Sequence, residues 1–179
     1  MGAVKLEYLP NYTYEDYLLF EGNWELINGV AYNMSPAPMK KHQYVSTNIA
    51  WALKEALKEC ESCEAYLPID WKIDEDTIVQ PDNLVLCDDS ENAAYITKAP
   101  LIIFELLSKS TAMKDKLLKY EIYQQEGVKY YAIVDPNENL VKLYKLYKGT
   151  YIEEGDFDKQ SYTFEINECK VEFDFAKIW

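Results

Sequence analysis

Apolar and polar positions follow two different spacings along this chain. Short apolar runs bounded by turn residues predict strands, and apolar residues repeated every three or four positions predict helices. Strands are expected at residues 24–27, 30–34, 66–73, 80–86, 101–107, 129–134, 140–147 and 162–175, and helices at about 13–20, 41–58 and 112–125. This order predicts an α/β or α+β fold, with a central mixed β-sheet flanked by helices on both faces.

No internal repeat, low-complexity tract or linker interrupts the pattern, so we predict a single domain over residues 1–179. Asn28-Gly29 lies between two apolar runs, and this dipeptide favours a two-residue hairpin turn. The longest apolar run, 101–107, is too short to span a membrane, and the N-terminus lacks the apolar core of a signal peptide. We therefore expect a cytoplasmic protein without a membrane partner.

The four cysteines change this picture little. Cys60 and Cys63 have the C-x-x-C spacing of a redox or zinc half-site, but a zinc site would need a second pair or histidines, and the chain has one histidine. The pair also closes a predicted helix, whereas a thioredoxin-like motif opens one. We expect all four cysteines to be reduced thiols, as is usual in the cytosol.

The charge distribution bears on the partner. A net charge of −13 argues against nucleic acid, yet residues 98–148 hold nine lysines against six acids, a local balance of +3. The chain has no arginine, the residue that most often reads guanine through two hydrogen bonds. The basic segment keeps a DNA partner open, and an acidic surface that simply keeps the protein soluble is the alternative.

Two carboxylates interrupt apolar runs. Asp82 lies in the run 80–86 and Glu105 in the run 101–107, where a carboxylate is costly unless something pairs with it. Two such acids on neighbouring strands predict a divalent cation, Mg²⁺ or Mn²⁺, held by Asp82, Glu105 and the carbonyl of Leu106. A lysine-bearing helix follows, and acids, a metal and an amine are the components of a site that hydrolyses phosphodiesters.

Each residue also has a structural interpretation. Asp82 could be a turn residue at the start of a strand, and Glu105 could form a buried pair with a structural lysine. Lys119 could be a solvent-exposed helix lysine, and Glu25 an outward-facing acid on a hairpin strand. For His42, at the start of the long helix, a cap or a loop contact is favoured over catalysis.

Several segments, taken in their order and spacing, resemble the Uma-two family of endonucleases, within the restriction-endonuclease-like PD-(D/E)xK superfamily. The resemblance covers the chain from Tyr14 to about Trp179. Its segments are 25–29 (ELING), 81–84 (PDNL), 105–111 (ELLSKST), 127–131 (GVKYY) and 134–136 (VDP), together with Asp115, Lys119 and Tyr123.

The resemblance implies a restriction-endonuclease-like fold and a Mg²⁺-dependent endodeoxyribonuclease acting on DNA. Asp82 and Glu105 match the family's catalytic acids, and Glu25 resembles an acid that assists the metal. The lysine expected two residues after Glu105 is replaced by Leu107, and Lys119 on the following helix matches the displaced lysine. The alternatives are a catalytically inactive member that binds nucleic acid or protein, and an enzyme that hydrolyses a smaller phosphate ester.

Dimerisation and the response to substitution can also be anticipated. A small domain that cuts both DNA strands usually needs a partner, and five tyrosines between Lys129 and Tyr151 predict the interface of a homodimer. Removing Asp82 or Glu105 is expected to relieve like-charge repulsion and raise stability modestly. Lys119→Met is expected to abolish cleavage while leaving folding nearly intact.

Overall fold

The computed structural model describes residues 10–34, 39–91, 93–108 and 115–179. The helices within these ranges are α1 (Tyr14–Tyr17), α2 (Lys40–Ala56) and α3 (Tyr120–Gln125), with a π-helical turn (Asp115–Lys119) directly before α3 and a 3-10 turn (Phe175–Lys177) near the C-terminus. The strands are β1 (Trp24–Ile27), β2 (Val30–Asn33), β3 (Cys63–Tyr66), β4 (Asp70–Lys72), β5 (Ile78–Val79), β6 (Asn83–Cys87), β7 (Tyr95–Ile96), β8 (Ile102–Leu106), β9 (Tyr130–Asp135), β10 (Leu140–Tyr147), β11 (Thr150–Phe157), β12 (Ser161–Ile166) and β13 (Cys169–Asp174). In the described ranges, no helix is long and apolar enough to cross a membrane.

Six strands form the central sheet in the order β11-β10-β9-β8-β6-β3. The sheet is mixed, because β8 and β9 run parallel while the other neighbours are antiparallel. A five-stranded sheet has the order β2-β1-β5-β4-β7, and β12 and β13 form a separate hairpin. The predicted mixed α/β architecture is confirmed.

Alternation along the central strands divides the apolar core into two faces. On β8, Ile102, Phe104 and Leu106 belong to one cluster and Ile103 belongs to the other. The first face is covered by α2 and the β12–β13 hairpin, and the second by strands of the five-stranded sheet together with α3. Each face is thus covered by one helix and one further β-layer. The prediction had only helices on the two faces and did not include these β-layers.

Two predicted strands are divided in the structure, and the prediction lacks three strands that the structure has, β5, β7 and β11. The run 66–73 is two strands in different sheets, β3 and β4, because Pro68 lies between them and cannot donate to a strand ladder. The run 162–175 is a hairpin that turns at Asn167, where φ is 47°. Strand β11 is missing from the prediction because it is a sheet edge, with acids at exposed positions and Gly155 inside it.

The β1–β2 hairpin turns at Asn28-Gly29 as predicted. Both residues have positive φ, 49° and 72°, as a type I′ turn requires. The resulting register pairs Ile27 with Val30. Glu25 and Leu26 point to opposite faces of β1, yet both are buried, so this strand is covered on both sides.

All four cysteines form disulfides, so the prediction of reduced thiols is wrong. Cys60 is bonded to Cys169 and Cys63 to Cys87. The first disulfide links the segment after α2 to β13, and the second joins the neighbouring strands β3 and β6. Disulfides persist mainly in oxidising compartments or in the cytosol of hyperthermophiles, so the cytoplasmic location stays a prediction.

We predict that the Cys60–Cys169 disulfide stabilises the fold more than the Cys63–Cys87 disulfide does. The residues it joins are 109 positions apart, against 24 for the other, and loop-closure entropy gives about 5 and about 3.5 kcal/mol respectively. Urea unfolding of the two double Cys→Ser variants should show this order. If thiol titration of the unreduced, unfolded protein finds four free thiols, the pairing is refuted.

Candidate active site

Asp82 directly precedes β6, and Glu105 lies in β8, the strand that pairs with β6. Strands β6 and β8 pair antiparallel, with Asn83 opposite Phe104. Continuing this register by one residue brings Asp82, which directly precedes β6, opposite Glu105 in β8. Directly opposed side chains on antiparallel strands have Cβ atoms about 5 Å apart. The register therefore places the two acids at the same end of the paired strands, and their joint binding of a metal stays a prediction.

Glu105 points to the same side of β8 as Ile103, towards α3. Its Oε1 accepts hydrogen bonds from Lys119 Nζ at 2.7 Å and from the Tyr123 hydroxyl at 2.6 Å. Lys119 is the last residue of the π-helical turn and Tyr123 lies four residues further, so the two side chains share one helix face. Single π-helical turns inside α-helices are frequent at functional sites.

Glu25 is the second carboxylate partner of Lys119. Its Oε1 lies 2.7 Å from Lys119 Nζ and accepts a 2.8 Å hydrogen bond from the main-chain N–H of Gln80. Glu25 is on β1 of the five-stranded sheet, whereas Glu105 is on β8 of the six-stranded sheet. One ammonium group therefore joins the two sheets, and Gln80 ties Glu25 to the segment that leads to Asp82.

These three charged residues, which we call the ion triad (Glu25, Lys119 and Glu105), are enclosed. Their side chains are 0%, 1% and 3% exposed. Ionised groups are tolerated at such positions only when they are paired and hydrogen-bonded. The interpretations of Lys119 as a solvent-exposed lysine and of Glu25 as an outward-facing acid are therefore wrong. The buried pair of Glu105 with a lysine is observed.

Asp82 is the more accessible of the two opposed acids, with 22% of its side chain exposed. Its Oδ2 accepts a 2.8 Å hydrogen bond from the main-chain N–H of Leu106 and lies 3.4 Å from Nε2 of His42. The N–H and C=O of one strand residue point to the same edge of the strand, so the Leu106 carbonyl faces the Asp82 side of β8. The oxygen donors of Asp82, Glu105 and Leu106 thus lie at one strand end.

Three contacts of this site are not apparent from sequence. His42 contacts Asp82, Tyr123 donates to Glu105, and Gln80 donates to Glu25. In the sequence, the position of His42 at the start of a helix is as consistent with a loop contact as with a contact to Asp82. Tyr123 is one of 16 tyrosines, and its only distinguishing signal is the spacing of four residues from Lys119.

The hydroxyl of Tyr123 stays protonated. Burial, followed by the negative charges of Glu105 and Glu25, raises the pKa of Tyr123 well above its usual value. A protonated phenol can donate to a carboxylate. The bond between Tyr123 and Glu105 therefore runs from the hydroxyl to the carboxylate oxygen at neutral pH.

The donor chemistry at this strand end fits a hard cation, since Asp82, Glu105 and the Leu106 carbonyl all offer oxygen. Among the described residues, no cluster of three or more His, Cys, Asp or Glu side chains could hold a metal. Mg²⁺ usually takes one or two carboxylates and completes its shell with water and substrate phosphate. The predicted ligand set stays a prediction, and within it Glu25 and Glu105 each already accept bonds from two protein donors.

The lysines of residues 98–148 include several that bond oxygen atoms of the protein itself. Lys98 donates to two main-chain carbonyls at the end of β6, and Lys142 bridges Glu153 and Asp156. Pairing with carboxylates cancels the charge of Lys142 that would otherwise attract a phosphate backbone, whereas Lys98, which bonds neutral carbonyls, keeps its charge. Lys142 therefore adds little to the basic surface that the local charge balance suggested.

The five tyrosines between Lys129 and Tyr151 are mostly internal. Tyr130, Tyr131 and Tyr151 are buried. Tyr144 is partly buried, and Tyr147 is exposed. A buried side chain cannot contribute contact area to a partner without unfolding. The homodimer prediction therefore loses the interface on which it was based.

A family model and a solved structure match this chain. The family model, Uma2, is described as "Putative restriction endonuclease" and matches residues 14–164. The solved structure is of "a putative nuclease belonging to DUF820" from Anabaena variabilis ATCC 29413. It superposes with a TM-score of 0.73 over 93% of this chain and 96% of that chain at 18% sequence identity, which shows a shared fold. Among the curated proteins, none matches.

We predict that Lys119→Met destabilises the fold, contrary to the expectation that folding stays nearly intact. The substitution leaves Glu25 and Glu105 buried without their cation, and breaking a buried ion pair in this way costs about 3–5 kcal/mol. Urea unfolding measures the change in unfolding free energy. Lys142→Met is the matched control, because Lys142 also bridges two carboxylates but is exposed, and it should cost at most about 1 kcal/mol.

The contacts of Glu105 also reverse the effect on stability that was expected from removing this acid. Glu105→Gln removes a charge that Lys119 attracts at 2.7 Å, so it should lower stability rather than raise it. If Lys119→Met is as stable as the wild type, the two glutamates do not depend on the ammonium group.

Proposed function

The chain belongs to the Uma2 family of putative restriction endonucleases, and on that premise we propose that it is a metal-dependent endodeoxyribonuclease that hydrolyses DNA phosphodiester bonds. The observation that supports this most directly is the convergence of Asp82, Glu105 and Lys119 from three separate segments of the chain. Two carboxylates and an ammonium group at one strand end are the groups that such hydrolysis requires.

Asp82, Glu105 and the carbonyl of Leu106 would hold Mg²⁺ or Mn²⁺ at the end of β8. The chemistry supplied by such an ion is charge neutralisation at the phosphate and activation of the attacking water. Glu25 would support this site indirectly, since its carboxylate is shared between Lys119 and the main chain of Gln80.

The remaining contacts would hold the proposed ligands in place. The N–H of Leu106 fixes one oxygen of Asp82, and Lys119 and Tyr123 fix one oxygen of Glu105. The ammonium group of Lys119 favours the ionised form of Glu105, which burial alone would oppose. In the reaction, Lys119 would orient the attacking water or stabilise the charge that develops on the phosphate.

Side-chain exposure indicates the side from which DNA would approach. Asp82 is partly exposed, whereas the ion triad is enclosed. The scissile phosphate would therefore meet Asp82 first, and the ion triad would lie beneath the reacting groups.

A catalytically inactive member that binds nucleic acid or a protein is the second candidate. It is favoured by the enclosure of Lys119, whose ammonium group already bonds two carboxylates, and by the net charge of −13. In that case the ion triad would only stabilise the fold.

We predict that the wild-type protein cleaves supercoiled plasmid in Mg²⁺ or Mn²⁺ and that a chelator stops cleavage. Asp82→Asn and Glu105→Gln should lower the rate by about a hundredfold or more, because losing a metal ligand removes several kcal/mol of transition-state stabilisation. Asp88→Asn is the matched control, since Asp88 follows the opposite end of β6 and bonds Asn167. Its rate should equal that of the wild type.

The substrate range separates the alternatives. No cleavage of plasmid, linear or branched DNA by the wild type would favour the inactive member. Hydrolysis of a small phosphate ester without cleavage of DNA would favour the remaining alternative, an enzyme that acts on smaller phosphate esters.

We also predict that the active form is a homodimer, because one site cuts one strand and a break in duplex DNA needs two sites related by symmetry. Sedimentation at micromolar concentration should show a species of about twice 20.9 kDa. A single species of 20.9 kDa under cleavage conditions would show that a monomer acts alone.

A further inference from the structure

We propose that the solvent-exposed face of α2 binds an unpaired, single-stranded segment of DNA and leads it to the candidate site. We call this surface the α2 face and define it by five exposed residues, Lys40, Tyr44, Thr47, Trp51 and Lys54. The inference rests on the DNA substrate proposed above. It deepens that proposal by naming the form of DNA that the protein takes and the surface that holds it.

The α2 face is a row of side chains along one side of a helix. Its five residues recur every three or four positions, a spacing that aligns them on one side of the helix. From Lys40 to Lys54 the row is about 21 Å long. The opposite side of α2 is apolar and belongs to the core, with Val45 and Ile49 fully enclosed.

Two large aromatic side chains are exposed on this face. Tyr44 is 58% and Trp51 54% exposed, and they are about 10 Å apart along the helix axis. Rings this exposed bury little apolar area in the core. Aromatic rings stack on unpaired bases of any sequence, whereas the bases of a duplex already stack on one another. The α2 face therefore fits a single strand better than a duplex.

The α2 face carries positive charge in a chain whose net charge is −13. Helix α2 holds three lysines and one acid, Glu55, which is itself paired with a lysine at 2.8 Å. In the described part of the chain, neither Lys40 nor Lys54 forms an ion pair. A further ammonium group, that of Lys177, lies 5.9 Å from the ring centroid of Trp51. Lysines beside an exposed ring supply phosphate contacts next to a stacking surface.

Helix α2 begins at the candidate site. Nε2 of His42, in its first turn, lies 3.4 Å from Oδ2 of Asp82. The Ser46 hydroxyl donates to the side-chain oxygen of Asn83 at 3.0 Å, and the Asn83 amide donates back to the Ser46 carbonyl at 3.2 Å. His42 points away from the α2 face, so a strand on that face reaches Asp82 by passing around the first turn, across about 10 Å.

Tyr147 is the matched control for the exposed rings of α2. It is 57% exposed, and the ammonium group of Lys148 lies 5.3 Å from its ring centroid. It lies at the end of β10, in the hairpin that forms one edge of the central sheet. An exposed ring beside a lysine thus occurs in both places, but only the ring on α2 belongs to a helix that starts at Asp82.

Fluorescence anisotropy tests the inference, with a labelled thymidine oligonucleotide of about 20 nucleotides as the probe. A chelator is present, so that cleavage does not contribute. Trp51→Ala should weaken binding about 5- to 150-fold, the range for one stacked base, whereas Tyr147→Ala should bind as the wild type does. Both side chains are exposed, so the melting temperatures of the two variants should stay close to that of the wild type.

The salt dependence of binding tests the lysines separately. Lys54→Met should lower the slope of log affinity against log salt concentration by about 0.7, the value of one phosphate contact to a single strand. Lys148→Met should leave the slope unchanged.

Three results would overturn the inference. Trp51→Ala could bind the oligonucleotide as tightly as the wild type, or the wild type could bind the complementary duplex as tightly as the single strand. Sedimentation could also show that Trp51→Ala separates a dimer without changing DNA binding, in which case the α2 face contacts a second copy of this chain. The proposed nuclease function fails by a different measurement, metal-dependent cleavage of plasmid, so the two failures are distinguishable.

Discussion

The ammonium group of Lys119 connects parts of the protein that apolar packing only brings near one another. It bonds Glu105 on β8 and Glu25 on β1, so one charge joins the six-stranded sheet, the five-stranded sheet and the helical segment that precedes α3. Each of these buried charges would be costly alone. Because each satisfies the others, the ion triad specifies how the helical segment sits against both sheets.

The structural and catalytic interpretations of Glu105 require the same arrangement. A carboxylate that pairs with a buried lysine is ionised and held in one orientation. A carboxylate that binds a metal must also be ionised and held in one orientation. The opposed position of Asp82, with an exposed fraction of its side chain, is what adds a route to solvent. The two disulfides lie in the other core face, with α2 and the C-terminal hairpin, so the covalent links are separated from the candidate site by the central sheet.

The acidity of the chain limits how DNA could be attracted. Lys98 and Lys142 bond oxygen atoms of the protein itself, Lys119 is enclosed, and no arginine is present. Affinity for a phosphate backbone ordinarily comes from lysines and arginines that displace counterions. The cation proposed at Asp82 and Glu105 would add positive charge that attracts the scissile phosphate.

Local pattern was enough to predict strands β1, β2, β6, β8, β9 and β10, the Asn28-Gly29 turn and the two acids that interrupt apolar runs, because these features depend on residues a few positions apart. The fold class followed from the order of the elements. The contacts of these residues did not follow from the order of the elements. Tertiary structure decided the burial of Glu25, the two ion pairs of Lys119, the contact of Tyr123 with Glu105 and both disulfides. Each joins segments far apart in the chain, and an alternating pattern determines which face of a strand is apolar but not which strand lies beside it or in what register.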